Sequence, residues 1–95
     1  MPSEPNAPQE LQKLDFTTFV LSIASAAYMG LGVEGSERQV DLELAKQNID
    51  LLELLWEKTS GNRTPEEDRL LQTLLFETRM RFIETQKNIQ NEKRK

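Results

Sequence analysis

The 95-residue sequence contains neither cysteine nor histidine. The first absence removes disulfide frameworks, thiolate chemistry and zinc sites of the usual kind. The second removes the commonest general base, the commonest metal ligand and the switch that titrates near neutrality. Positive charge is in the minority: 12 Lys and Arg face 16 Asp and Glu, for a net charge of -4 and a pI near 4.9. That balance argues against a surface that seeks nucleic acid as a whole. The opening "MPSEPNAPQE" lacks a basic segment followed by an apolar one, so it does not read as a secretory signal, and a cytoplasmic location is expected. A chain this short makes one small domain with limited capacity to bury a core by itself.

Three of the four prolines lie at Pro2, Pro5 and Pro8, which predicts a disordered tail over residues 1–14. The character then changes. Asp15 is a candidate N-cap, and residues 16–33 carry no charge. Phe16, Phe19, Val20, Ile23, Ala27 and Leu31 share one bulky face at helical spacing, opposite a thinner stripe of Thr18, Ser22, Ser25 and Met29. The alanine-rich continuation favours a helix over a strand, with bounds of 16–29.

Ser36 with Gln39 offers a capping box for a second helix, expected over 37–59. Its apolar seam runs Leu42, Ala45, Ile49, Leu52, Trp56 and Thr59, while Asp50, Glu53 and Glu57 lie on the far side. Gly61 and Asn62 then end it. "TPEED" opens a third helix, expected over 65–87, with Thr64 as N-cap, Pro65 in the first turn and Glu67 closing a capping box. The short link makes the second and third helices antiparallel neighbours. The third carries two stripes, one of Leu71, Leu75, Thr78 and Phe82, the other of Phe76, Met80 and Ile83. Residues 88–95 are expected to be a basic frayed tail. The fold class is therefore all-α: an apolar N-terminal helix followed by an antiparallel helical hairpin, as part of an oligomeric bundle.

Gly30, Gly32 and Gly35 spell a G-x-G-x-x-G. In a dinucleotide-binding turn those glycines follow a strand inside a βαβ unit. Here a helix precedes them, no second strand follows, and Glu34 would oppose a pyrophosphate. They read as a helix terminator, and no cofactor is expected.

The blocks "FVLSIASAAYMGLG", "DLELAKQNIDLLELLWEKTSGNRTPEE" and "LLFETRMRF" occur in this order from Phe16 to Phe82. In this the chain resembles a family of small bacterial proteins known as domain of unknown function 1844. The resemblance implies a small bacterial protein and brings no activity, substrate or catalytic residue with it.

Four features invite a functional reading. The uncharged helix, eighteen residues rising about 27 Å, is near the lower limit for crossing a membrane. Its serines, threonines and glycines, and the lack of a basic flank, favour a core or interface helix instead. Asp50, Glu53 and Glu57 share a helix face but have no loop or partner ligands, so they read as a solvated face rather than a metal site. Lys87, Lys93, Arg94 and Lys95 complement the negative end of the last helix, and without aromatic neighbours they make a poor nucleic-acid signature. Arg79 lies between the two stripes of the third helix with no carboxylate three or four positions away. It is expected to pair with an acid from another helix.

No catalytic or metal-binding residue emerges, and the expected function is a non-enzymatic homo-oligomeric scaffold or partner-binding module. Its expected partners are itself, as a homodimer or larger, and an unidentified protein. The candidate oligomer interface comprises Thr18, Ser22, Ser25 and Met29 with Phe76, Met80 and Ile83. The alternative is a membrane-peripheral protein docking through residues 16–31.

Overall fold

Asp15 starts the first helix as its spacing suggests: its Oδ1 accepts a hydrogen bond from the Thr18 amide at 2.8 Å. That bond holds the Asp15 carboxyl below its ordinary value of 3.8. The computed structural model describes residues 14–32 and 40–94. Most of the expected tail, and the Ser36–Gln39 capping box, lie outside them. The described residues form three helices: α1 (Phe16–Leu31), α2 (Leu42–Lys58) and α3 (Pro65–Arg94). No strand occurs among the described residues.

Each helix turns its apolar stripe inward. Val20, Ile23 and Ala24 of α1, Leu52 of α2, and Leu71, Leu74 and Leu75 of α3 form the central cluster. Phe16, Tyr28, Leu55, Trp56 and Leu70 pack on its edge. One expectation fails here, since Phe19 is 42% exposed. Ala24 is buried in the central cluster instead. Thr78 is fully buried within the α3 stripe, yet its hydroxyl donates to the Leu74 carbonyl at 2.7 Å. A buried polar atom thus has its partner.

The α1–α2 crossing explains two of the three glycines. A Cβ on Gly30 would lie 2.7 Å from the Ala45 amide nitrogen and 2.8 Å from the Asp41 carbonyl oxygen. The Gly30 carbonyl also accepts from the Asp41 amide at 2.7 Å. Gly32, with φ of 81°, ends α1 in the left-handed region. These residues terminate a helix and admit its neighbour.

α2 begins later than the expected residue 37. Asp41, with φ of -123° and ψ of 89°, is its N-cap, accepting from the Leu44 amide at 3.1 Å. At the start of α3 both bonds of the capping box are present, Thr64 N to Glu67 Oε1 at 2.9 Å and Glu67 N to Thr64 Oγ1 at 3.1 Å. The far end differs from expectation: α3 continues through Arg94 rather than fraying from residue 88. No glycine or proline follows Pro65 to stop it.

Arg63 locks the α2–α3 turn. Its side chain is only 7% exposed, with the guanidinium 3.9 Å from the Trp56 ring centroid. Nη1 donates to the Trp56 carbonyl at 2.7 Å and to Thr59 Oγ1 at 2.9 Å, and Nε donates to Asp68 Oδ1 at 2.9 Å. The end of α2 and the first turn of α3 are tied through one planar group.

Candidate functional site

The inner face of α3 is set by Leu71, Leu74, Leu75 and Thr78, so its second stripe must point outward. Phe76 is 65% exposed, Met80 52% and Ile83 48%. They step by four and three residues and form a ridge along the outside of the bundle.

Two open clefts flank the ridge. The one toward α1, about 650 Å³, is lined by Tyr28 together with Glu77, Arg81, Glu84 and Lys87. The Tyr28 hydroxyl donates to Glu77 Oε1 at 3.2 Å, and the Arg81 guanidinium lies 5.8 Å from the Tyr28 ring centroid. Burial of the phenol, and then the hydrogen bond and negative charge of Glu77, hold Tyr28 above its ordinary 10.0. Tyr28 is therefore a donor at neutral pH and no base.

The cleft toward α2, about 600 Å³, is lined by Glu53, Trp56, Glu57 and Arg79. Arg79 Nη2 stands 2.8 Å from Glu53 Oε2, an ion pair that joins α3 to α2 with both side chains about half exposed. Sequence reasoning pointed Arg79 at another helix but placed Glu53 on a solvated face. The heptad positions alone do not show that the edge of that face borders α3.

The candidate interface residues lie on two helices and are exposed on both. Thr18, Ser22, Ser25 and Met29 are exposed on α1, while Phe76, Met80 and Ile83 are exposed on α3. The Ser22 hydroxyl already donates to the Thr18 carbonyl at 2.9 Å, which leaves the α1 stripe less in need of a partner. Sequence reasoning missed Arg63 and the Tyr28–Glu77–Arg81 cluster, because neither has a local spacing that announces it.

Among the described residues no group of three or more acidic side chains could hold a metal ion. Nor is any helix long and apolar enough to cross a membrane. In each cleft one charged group of α3 is held by a neighbouring helix, Glu77 by Tyr28 and Arg79 by Glu53.

A three-helix fold with its own capped hairpin and an outward apolar ridge defines a small all-α domain. Its family is shown by the sequence: a model described as "Domain of unknown function (DUF1844)" matches residues 13–84, and the chain belongs to that family. Searches of the curated proteins and of the solved structures find no match.

Proposed function

We propose that this protein is a non-enzymatic cytoplasmic module that assembles with itself, as a homodimer or larger, and serves as a scaffold for a protein partner. The ridge of Phe76, Met80 and Ile83 carries this reading. Burying one such side chain fully stabilises by about 1.5–3 kcal/mol. A small domain has a total stability of only about 5–15 kcal/mol, so three neighbouring side chains left half in water forgo a large share. A second apolar surface recovers it.

Sedimentation equilibrium tests the reading. The expected mass is a multiple of 11.0 kDa at micromolar concentration, with thermal stability rising with concentration. Met80→Glu should shift the protein toward monomer while its helical circular dichroism is kept. A well-folded wild-type monomer across that range would overturn the proposal. The non-enzymatic part rests on the missing histidine and cysteine; a product formed reproducibly from a metabolite extract, and lost on changing one polar residue, would refute it.

A second reading, docking of α1 on a membrane surface, is favoured by one observation. Leu14 and Phe19 are exposed and line one open cleft at the start of α1. Against it, residues 16–31 contain no lysine or arginine to meet anionic lipid. Co-sedimentation with anionic liposomes, abolished by Phe19→Asp in a variant that still folds, would establish it.

A further inference from the structure

The ridge sits near the middle of the longest helix, and the charge of that helix is divided between its ends. Over residues 65–72, α3 carries three acids, Glu66, Glu67 and Asp68, against one cation; over 87–94 it carries three cations against one acid. A parallel partner of the same kind would set acid beside acid and base beside base. An antiparallel one sets each acidic end beside a basic end and opposes the two helix dipoles favourably. We propose that α3 pairs antiparallel with α3 of a second copy, the two-fold axis passing beside Met80. This rests on the self-assembly reading above and names the surface and direction that reading leaves open.

The register follows from the ridge. With Met80 on the axis, Phe76 of each chain comes within one residue, about 1.5 Å, of level with Ile83 of the other, so the apolar segment is covered by its own copy. The apolar overlap selects the alignment, and the net charge of the two ends of α3 selects the antiparallel direction. The flank toward α1 alternates in sign through Glu77, Arg81, Glu84 and Lys87. Its best self-match is displaced by about one turn, roughly 6 Å, which long arginine and lysine side chains can span. A two-fold contact of this kind is isologous and closes at two chains.

The size of the surface is consistent with a modest dimer. A strip about 45 Å long and about 10 Å wide puts the contact at the small end of specific interfaces, roughly 1,000 Å² in total. α1 offers a weaker case for the same role, since its exposed stripe contains no charge to set a direction.

The natural absence of cysteine makes the test direct. Single-cysteine variants Met80→Cys, Gln90→Cys and Arg69→Cys would be oxidised mildly at micromolar concentration, all at exposed positions that spare the core. In the proposed pair, two copies of residue 80 meet within disulfide reach, whereas two copies of residue 90 stand about 30 Å apart along the axis. Met80→Cys should link to itself in high yield and Gln90→Cys should not; Gln90→Cys mixed with Arg69→Cys should link as a heterodimer. Self-linking of both Met80→Cys and Gln90→Cys means a parallel pair and overturns the proposal. A dimer in sedimentation that gives no Met80→Cys link leaves self-assembly standing and removes α3 as its surface. A monomer in sedimentation removes both.

Discussion

Gly30→Ala is the substitution for which sequence and structure predict opposite signs. As a glycine inside a helix, Gly30 should be improved by alanine, by about 0.8–1 kcal/mol of helix propensity. In the structure the added methyl would stand 2.7 Å from the Ala45 amide nitrogen, 2.8 Å from the Asp41 carbonyl oxygen and 3.0 Å from the Ala45 Cα. These are backbone atoms of the first turn of α2 and its cap, so no side chain can swing away. α2 must move, and the 2.7 Å bond from Asp41 N to Gly30 O must lengthen with it. Overpacking of this kind costs about 1–3 kcal/mol, and the lost hydrogen bond adds about 0.5–1.5 kcal/mol. Set against the propensity gain, the net loss is about 0.5–3.7 kcal/mol, or a Tm lower by roughly 2 °C or more in a domain of this size. Gly61→Ala is the control. Gly61 has φ of 83° and open space around its Cβ position, so alanine there meets only backbone strain, about 1–2 kcal/mol. Thermal and urea unfolding followed by circular dichroism at one fixed protein concentration would decide, because self-assembly makes Tm depend on concentration. A Gly30→Ala protein as stable as the wild type, or more so, would show that the close α1–α2 crossing is wrong.

Arg63→Lys keeps the charge but loses the planar stack on Trp56 and the fork to Thr59 and Asp68, so a loss of about 1.5–3 kcal/mol and a changed Trp56 fluorescence are expected. A double-mutant cycle of Arg79→Met with Glu53→Gln should give a coupling of only about 0.2–1 kcal/mol, since both groups are half in water. A coupling above that range would mean that the pair is covered in the assembled protein. Asp15 has a lowered folded pKa, so its contribution is present above the unfolded value near 3.8 and is lost as pH falls through the folded value. Urea midpoints should drop in that window, and the part due to Asp15 should vanish in Asp15→Ala. Tyr28 has a raised pKa, so its contribution holds below the unfolded value of 10.0 and is lost as pH rises through the folded one. Tyr28→Phe should flatten that alkaline decline.

Local chemistry explains what the sequence made legible. The Thr64–Glu67 capping box is a contact between residues three apart, and such contacts are readable because the helix supplies the geometry. The inward stripes of α2 and α3 were readable for the same reason. What escaped depends on atoms far apart in the chain. Sequence reasoning started α2 at the Ser36–Gln39 box, whereas its N-cap is Asp41. Asp41 is the residue whose amide reaches the Gly30 carbonyl, so tertiary contact marks the boundary. Phe19 is large and apolar, yet it stays 42% exposed while Ala24 is buried in the central cluster.

The same division applies to the candidate surface. Its outward direction was legible, since a stripe far round the cylinder from Leu71, Leu75 and Thr78 cannot share their core. Its flanks were not, since Tyr28 and Glu77 are 49 residues apart and Glu53 comes from another helix. Those flanks change what the ridge means. On either side of the apolar strip, charged groups are held by partners on α1 or α2: Tyr28 with Glu77, and Glu53 with Arg79. Under the proposed self-assembly, contacts already made within one chain would lower the ordering entropy that association must overcome. In the proposed antiparallel pair, the apolar centre of the ridge would then supply affinity and the charged ends of α3 direction.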